Sequence, residues 1–232
     1  MPVPKAELAR FPLLAALEED RLAGLAELAS IRSCVEGELL LDFDDESRDI
    51  FLILEGGMRI VLRAPSGHEM IFRDVGPGEA FGEIAAIDER PRSASVTAIH
   101  RTRLAVLRAE PFMAAILSSP AAALACMRHL TARLREKDER LLELTVLPVR
   151  LRLCAELLRL ARPAAGMRRI SPPPPHHELA ARIGTRREVV SRELMALAAG
   201  GLIEADRRAI RLLRPDELEA ELRTALGAAW DD

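Results

Sequence analysis

The chain has 232 residues, of which 49% are hydrophobic, 30% charged and 3% aromatic. This composition excludes a disordered chain and a repetitive fibre, and the length fits one large domain or two smaller ones. No apolar run approaches the roughly 20 residues of a membrane-spanning helix, and the first ten residues lack a signal-peptide pattern. Three widely spaced cysteines, Cys34, Cys126 and Cys154, fit a reducing compartment better than a disulfide framework. We therefore expect a cytoplasmic protein without a membrane anchor.

The net charge of −3 combines three segments of different sign. Residues 1–149 hold 18 Lys and Arg against 24 Asp and Glu, and residues 150–214 hold 14 Arg against 6 acidic residues. Residues 215–232 hold 1 Arg against 6 acidic residues. A basic block is typical of a nucleic-acid surface, but solvated arginine faces are common as well. Charge alone therefore leaves nucleic-acid binding open.

The first half of the chain predicts one helix and then short strands. Leucines recur at helical spacing between Pro12 and Ile31, which predicts a helix there. After Ser33, short apolar runs alternate with turn residues at spacings of roughly ten residues, as in a small β-barrel or jelly roll. The predicted strands are Leu39–Leu41, Ile50–Leu54, Met58–Leu62, Met70–Phe72, Ser93–Ile99 and Thr102–Leu107, with turns at 37, 56–57, 65–67 and 76–78.

From Glu110 the pattern is helical for nearly forty residues, and Pro148 ends that stretch. An apolar repeat with alternating steps of three and four residues runs along it. Its members are Met127, Leu130, Leu134, Lys137, Leu141 and Leu144. Such a stripe needs a partner helix, and we expect a second copy of the chain to supply it. Lys137 is the exception in the stripe, because a cation there lowers stability unless something uses it.

The last third of the chain predicts helices and a strand pair. Val149–Leu160 predicts a helix, and the proline-rich segment Pro163–Pro175 predicts a loop. Two short helices with a tight turn at Gly184 follow, and then two strands, Leu202–Ala205 and Ala209–Leu213.

Two further predictions concern the start of the second short helix and the acidic C-terminal segment. Thr185 and Glu188 have capping-box spacing, which predicts that the second short helix begins there. The acidic residues 216–226 predict either an amphipathic helix that docks on the rest of the chain or a frayed end.

One pair of short motifs carries chemistry suited to a ribose phosphate. Gly82 lets a ligand approach the backbone, and the Glu83 carboxylate can accept from sugar hydroxyls. Arg92 offers a planar fork for phosphate oxygens, and Ser93 adds a hydroxyl and an N–H group. An internal Glu–Arg pair that only holds a loop is the alternative. The candidate ligand contacts are Gly82, Glu83, Ile84, Ala85, Arg92, Ser93 and Ala94.

A second motif, residues 176–194, predicts a helix–turn–helix. The second helix would expose Arg187, Glu188 and Arg192 on one face. Arginine can bond to O6 and N7 of guanine and glutamate can accept from N4 of cytosine, which suits reading of the DNA major groove. A packing unit with a structural role only is the alternative.

Together these motifs resemble a known family. Phe81-Gly82-Glu83-Ile84-Ala85, followed by Pro91-Arg92-Ser93-Ala94, resembles the phosphate-binding cassette of cyclic-nucleotide-binding domains. The order of barrel, long helix and helix–turn–helix is similar to the CRP/FNR superfamily of bacterial transcription regulators, over residues 10–214. The resemblance implies an α+β fold with a β-roll or jelly-roll sensor domain at 1–110, a dimerisation helix at 111–147 and a winged helix–turn–helix with an acidic tail at 148–232.

The resemblance also implies a ligand, cAMP or cGMP. In the family the Gly-Glu pair, here Gly82 and Glu83, contacts the ribose, and the Arg-Ser pair, here Arg92 and Ser93, binds the cyclic phosphate. In cAMP-binding members a Thr-Ser pair of the long helix contacts the base, and Lys137 and Asp138 stand at that pair in this chain. An ammonium only donates, whereas the adenine amino group needs an acceptor. Lys and Asp could complement guanine; the alternative is an inter-subunit Lys–Asp salt bridge beside a pocket that is empty or differently used.

The same resemblance implies DNA contacts. Arg187, Glu188, Ser191 and Arg192 match the base-reading face of the family, and half-sites that contain TGA are implied. The phosphate contacts would come from His176 and Arg186, and from Arg207 and Arg208 at the tip of the wing. The segment Met167–Arg169 stands where family members contact RNA polymerase.

We therefore predict a homodimeric regulator of transcription that is not an enzyme and has no cofactor or metal. Its partners would be a cyclic nucleotide, double-stranded DNA and RNA polymerase. Three cysteines without a Cys-x-x-Cys motif cannot supply an iron–sulfur ligand set. Two alternatives remain open. One is a regulator that acts without a nucleotide or with another effector, and the other is a cyclic-nucleotide-binding regulatory protein that does not bind DNA.

Overall fold

The computed structural model describes residues 3–63, 69–164 and 166–227. The chain divides into two compact units, Met1–Arg135 and Glu136–Asp232, and the boundary falls inside a long helix. The predicted α+β fold, with a β-sheet unit, a long helix and a helical unit with a small sheet, is confirmed.

The first unit begins with two helices, α1 (Lys5–Leu8) and α2 (Glu19–Leu28). The helix predicted over Pro12–Ile31 is therefore wrong at both ends, because residues 12–16 form turns and Ser30 already lies in a strand. Leu13 and Leu14 lie in these turns and are buried, at 2% and 0% exposed. These leucines therefore pack into the core from turns and do not form the apolar face of a helix.

The strands of the described part of the first unit form two antiparallel four-stranded sheets, ordered β1-β8-β3-β6 and β2-β7-β4-β5. They are β1 (Ser30–Cys34), β2 (Leu39–Leu41), β3 (Ile50–Glu55), β4 (Met58–Arg63), β5 (Glu69–Val75), β6 (Ala80–Phe81), β7 (Ser95–Ala98) and β8 (Thr102–Leu107). Phe51, Met58 and Leu104 belong to the core of this double sheet. All six predicted strands are present, whereas β1 and β6 were not predicted. The turn predicted at 65–67 lies outside the described residues.

The first unit also contains α3 (Glu83–Asp88), between β6 and β7, and α4 (Ala109–Ile116), after β8. The next helix, α5 (Pro120–Val146), crosses the boundary between the units. The predicted helical stretch is thus two helices, which separate before Pro120. Phe112 of α4 and Leu25 of α2 share a core with Ile50 and Leu107 of the first sheet. Among the described residues no single helix is long and apolar enough to span a membrane, and α4 and α5 meet that criterion only when joined across a 113° bend.

The second unit contains helices around a small antiparallel sheet ordered β11-β12-β10-β9. Its elements are α6 (Val149–Leu160), β9 (Arg162–Ala164), β10 (Met167–Ile170), α7 (His176–Ile183), α8 (Arg187–Ala199), β11 (Ile203–Ala205), β12 (Ile210–Leu212) and α9 (Pro215–Leu226). The loop predicted over Pro163–Pro175 is wrong in its first half, where β9 and β10 pair. Pro163 is compatible with β9 because β9 is an edge strand.

The acidic C-terminal segment forms a docked helix, which was one of its two predicted states. Leu218 and Leu222 of α9 are fully buried in the core of the second unit. Two acidic side chains of α9 pair with the basic surface beside it, Glu221 with Arg150 and Glu219 with Arg168.

Candidate ligand pocket and nucleic-acid interface

Gly82 lies at the junction between β6 and α3 and has a φ of +91°, in the left-handed region. A Cβ atom there would lie 2.7 Å from the carbonyl oxygen of Asp49 and 2.9 Å from Nη1 of Arg92. Both the backbone conformation and the available space therefore require glycine. The freed space lets Arg92 reach this junction, where its Nη1 donates to the carbonyl oxygen of Gly82 at 3.1 Å.

Arg92 is buried, with 3% of its surface exposed. Its Nη2 donates to the carbonyl oxygen of Asp49 at 2.8 Å, and its Nε donates to the hydroxyl of Ser47 at 3.1 Å. Its guanidinium carbon lies 5.7 Å from the ring centre of Phe51. Within the described residues these bonds occupy three of the five N–H groups of the guanidinium, and all three acceptors are neutral.

Among the residues that the structure describes, this buried cation has no hydrogen-bonded anion. Burial lowers the pKa of the Arg92 guanidinium, and the more distant carboxylates of Asp49, Asp45 and Glu83 act in the opposite direction. Glu83 is 7% exposed and, among the described residues, accepts no hydrogen bond. The alternative of a Glu83–Arg92 ion pair that holds a loop is therefore not what the structure contains.

The remaining predicted ligand contacts differ in exposure. Ser93 is exposed and Ala94 half-buried, Ile84 is 36% exposed, and Ala85 is a core residue at 2%. Lys137 and Asp138 are exposed on α5, in the second unit.

The helix–turn–helix turn is formed by Gly184, which ends α7 with a φ of +62°. The next amide, that of Thr185, donates to the carbonyl oxygen of Ala180 and so closes the end of α7. The capping-box prediction is wrong: α8 begins at Arg187, Arg186 is its N-cap, and no side chain in the described part of the chain caps it. Thr185 belongs to the turn before it.

The predicted base-reading residues of α8 face away from the core of the unit. Arg187, Glu188 and Arg192 are exposed, as is the N-cap Arg186, whereas Val190 and Leu194 are buried on the opposite face. This is the two-sided pattern of an amphipathic helix at a surface.

Ser191 and His176 of the predicted interface contact each other. The Ser191 hydroxyl donates to the carbonyl oxygen of Arg187 at 3.0 Å and lies 2.7 Å from Nδ1 of His176. Because a hydroxyl has one proton, Ser191 accepts from Nδ1–H of His176. The structure thus brings the start of α7 and the exposed face of α8 together.

Arg207 and Arg208 are exposed in the turn between β11 and β12. One carboxylate oxygen of Asp206 accepts from the amides of Arg208 and Ala209, at 2.6 and 2.8 Å. These bonds lower the pKa of Asp206, and Arg211 lowers it further. Asp206, which sequence reasoning missed, holds the turn that presents both arginines. An aspartate at the start of a turn is a recognisable signal for this role.

Around Arg92, sequence reasoning also missed Ser47 and Asp49. Asp49 acts through its backbone carbonyl, which leaves no trace in the residue type. In the predicted polymerase segment, Arg168 is bonded to Glu219 and to the carbonyl oxygen of Leu158, whereas Met167 and Arg169 are exposed.

Comparison with known proteins finds similarity in both units. The model of the cyclic nucleotide-binding domain matches residues 31–119, and that of the Crp-like helix-turn-helix domain matches residues 151–221. The chain is 37% identical over 169 residues to the cyclic AMP receptor protein of Thermus thermophilus, covering 72% of this chain and 76% of that protein. It is 26% identical over 220 residues to a CRP-like cAMP-activated global transcriptional regulator of Mycobacterium tuberculosis, covering 93% and 98%. A solved CRP/FNR-family transcriptional regulator from Thermus thermophilus superposes with a TM-score of 0.68 at 26% identity, covering 84% of this chain and all of that one.

Proposed function

Because the chain belongs to the CRP/FNR family of transcription regulators, we propose that it is a ligand-responsive transcription regulator located in the cytoplasm. In this proposal residues 1–110 bind cAMP or cGMP, residues 111–147 join two copies, and residues 148–232 bind a palindromic operator. The effector is a ligand and not a cofactor, and the proposal includes no catalytic step.

The buried guanidinium of Arg92 is the observation that carries the ligand proposal. A charge this deeply buried is costly unless an anion compensates it. The bonded acceptors of Arg92 are two backbone carbonyls and a hydroxyl, and two of its N–H groups have no hydrogen bond within the described residues. The cyclic phosphate would supply the anion, with the exposed Ser93 hydroxyl beside it and the Glu83 carboxylate on the ribose hydroxyl.

In this proposal Lys137 and Asp138 would contact the base, and their side chains could complement guanine. The Lys137 ammonium would donate to O6 of guanine, and the Asp138 carboxylate would accept from its N1–H and amino groups. Adenine offers an amino donor where guanine offers O6, so the ammonium would face it without an acceptor. We therefore keep cGMP as a rival to cAMP. The Asp138→Ala variant should lose any preference for cGMP, and Glu139→Ala, on the next exposed residue, should keep it.

A homodimer is supported by the exposed side of α5. Met127, Leu134 and Leu141 are spaced by seven residues and are 56%, 58% and 61% exposed. Seven-residue spacing of exposed apolar side chains is the pattern of a two-helix interface. Two copies related by a two-fold axis would present two α8 helices to the two halves of a palindrome.

DNA recognition would combine two kinds of contact. Arg187, Glu188 and Arg192 of α8, with Ser191, would read bases in the major groove. His176 and Arg186, and Arg207 and Arg208 of the wing, would contact phosphates. In our proposal the ligand changes the population of two dimer arrangements, so operator DNA should in turn tighten nucleotide binding. The exposed Met167 and Arg169 would be available to RNA polymerase.

Calorimetric titration with cAMP and with cGMP tests the ligand proposal. The full-length protein should bind one of them with measurable heat, and Arg92→Ala should reduce its affinity by at least tenfold, because charge-assisted hydrogen bonds to the phosphate are lost. Arg90→Ala is the matched control, since Arg90 is exposed two residues away. Absence of heat with both nucleotides in the wild-type protein would refute the nucleotide proposal.

A further inference from the structure

Three helices of the second unit each contribute one arginine and one glutamate to a largely buried cluster, the charge network, in which Glu178 is half-buried and Arg159 is exposed. Its six members are Arg140 and Glu143 of α5, Glu156 and Arg159 of α6, and Glu178 and Arg182 of α7. Each pair is three or four residues apart, which places both side chains on one side of their helix. The network is electrically neutral as a whole.

Glu156 is the centre of the charge network. Its carboxylate lies 3.0 Å from Nη2 of Arg140 and 3.5 Å from Nη1 of Arg182, and it also pairs with Arg159. Glu156 is 2% exposed and Arg182 is 4% exposed. One buried carboxylate therefore joins α5, α6 and α7.

The two outer glutamates complete the network. Glu143 of α5 accepts from Arg140 at 2.7 Å and also pairs with Arg159 of α6. Glu178 of α7 accepts from Nη2 of Arg182 at 3.0 Å. Every charge in the cluster thus has a partner of opposite sign.

Arginines also hold the backbone of the helix–turn–helix turn. Arg140 of α5 donates to the carbonyl oxygen of Arg182, and Arg152 of α6 donates to that of Ile183 at 2.8 Å. These are the last two residues of α7, directly before Gly184. Positive charge at a helix C-terminus is favourable, and here it comes from two other helices.

A buried ionic cluster of this kind contributes little to stability, because well-packed apolar side chains would stabilise the unit as well or better. It differs from an apolar contact in geometry. Hydrogen bonds between guanidinium and carboxylate groups are directional, so they form at only one position of α7 along α5. Leucine contacts are not directional and would allow α7 to pack at neighbouring positions.

We propose that the charge network is a positioning device for DNA recognition, with Arg140 as its key residue. It fixes the first helix of the helix–turn–helix on the C-terminal part of α5, and through the Gly184 turn it fixes the direction in which α8 presents its exposed face. Its members position α8 and do not contact DNA. This inference rests on the DNA-binding part of the proposed function.

The test removes the α5 contribution as a neutral pair, Arg140→Met with Glu143→Leu. This change leaves Glu156, Arg159, Glu178 and Arg182 paired with one another. The control is Arg150→Met with Glu221→Leu, which removes an Arg–Glu pair between α6 and α9 in the same unit. We expect the test variant to melt cooperatively and to keep non-specific DNA binding. Its operator affinity should fall roughly tenfold, because a misdirected α8 loses about one base contact, and the control should stay within about twofold of wild type.

A second readout does not depend on DNA. Hydrogen exchange of the amides in residues 180–187, measured without DNA, should accelerate in the test variant and not in the control. If the wild-type protein bound no operator, the proposed function would be wrong. Hydrogen exchange would then still test whether the charge network positions the helix–turn–helix. Should the apolar pair prevent folding, Arg140→Lys replaces it, since a lysine cannot reach Glu143, Glu156 and the Arg182 carbonyl together. Unchanged operator affinity with unchanged exchange in a folded variant, or an equal loss in the control, would overturn the inference.

Discussion

Arg92 in the first unit and Arg182 in the second are both almost fully buried, at 3% and 4% exposed, yet their partners differ in kind. Arg182 lies between two carboxylates, those of Glu156 and Glu178. Arg92 is bonded to two backbone carbonyls and a hydroxyl. The second unit thus supplies its own anions, and in our proposal the anion of the first unit arrives with the ligand. In our two proposals, the same residue type at nearly the same burial would position a helix in one unit and bind a ligand in the other.

The largest effect on stability should come from removing a carboxylate partner of Arg182. Glu156→Ala leaves the arginines around it short of a buried anion, and we expect the free energy of unfolding of the second unit to fall by about 3–5 kcal/mol. Urea denaturation measures this. Glu221→Ala, which breaks a half-exposed ion pair in the same unit, should cost no more than about 1 kcal/mol. Equal losses in the two variants would mean that burial of Glu156 has no energetic consequence.

The next effect concerns Arg92, which has no carboxylate partner within the described residues. A nucleotide at one hundred times its Kd should stabilise the wild-type protein by about 2.7 kcal/mol. At the same concentration it should stabilise Arg92→Met by no more than about 1.4 kcal/mol, because an affinity at least tenfold weaker leaves at most ten times the Kd of the variant. Without nucleotide the variant should lose only about 1 kcal/mol, because its lost bonds are to neutral acceptors. Thermal melts with and without nucleotide measure both quantities, with Arg90→Met as control. Ligand stabilisation of Arg92→Met equal to that of wild type would show that Arg92 does not bind the phosphate.

A third prediction separates the two kinds of DNA contact within the second unit. Arg192→Ala should weaken operator binding by about 1–3 kcal/mol and leave non-specific binding nearly unchanged, because it removes a base contact. Arg207→Ala should weaken binding to all sequences alike and lower the salt slope by about one, because it removes a phosphate contact. Competition binding at several salt concentrations distinguishes them. Sequence-independent weakening by Arg192→Ala would contradict its assignment as a base-reading residue.

The smallest effect should appear in the pH dependence of the first unit. His129 of α5 lines a cavity of about 120 Å³ with Glu79 and Arg133, and its Nε2 is buried without a hydrogen-bond partner among the described residues. Burial, with Arg133 and Arg73 nearby, lowers the pKa of His129, and the carboxylates of Glu83 and Glu79 only partly offset this.

Because the pKa of His129 is lower in the folded state, the unfolded state binds more protons below the ordinary histidine value of about 6.5. Stability from this group is therefore present above pH 6.5 and is lost as the pH falls through the folded pKa. Thermal melts between pH 7.5 and 5 should show a shallower decline in His129→Leu than in wild type, and no change of slope in the exposed control His177→Gln. An identical slope in His129→Leu would remove His129 as the cause.

Much of the fold follows from local pattern, as the helix Val149–Leu160 illustrates, since it is observed with its predicted bounds. The first wing strand begins one residue later than the predicted Leu202–Ala205, and the second is one residue shorter at each end than the predicted Ala209–Leu213. The errors have physical causes. Leu13 and Leu14 are buried although they lie in turns, so their spacing wrongly predicts a helix. Pro163 lies in an edge strand, which tolerates proline, so its residue type wrongly predicts a loop.

The candidate sites divide in the same way. Gly82 and Arg92 belong to short motifs that can be identified from the sequence. The junction between β6 and α3 requires the glycine, and the arginine occupies the space that the glycine leaves. The charge network is harder to predict, because interleaved Arg and Glu residues are typical of solvated helix faces. Glu156 alone offered a hint, since it interrupts an apolar run, Leu153–Leu158, whose other members are all buried. Which arginines it would meet depends on how α5, α6 and α7 pack, and no local pattern contains that.

The most direct test of the central claim is an electrophoretic mobility shift of the wild-type protein on a palindromic operator with TGA-containing half-sites, with and without cAMP or cGMP. We predict that one of the nucleotides tightens operator binding at least fivefold, near the lower end of typical coupling between sites. A shift that neither nucleotide changes would contradict ligand-responsive DNA binding, and so would the absence of any shift.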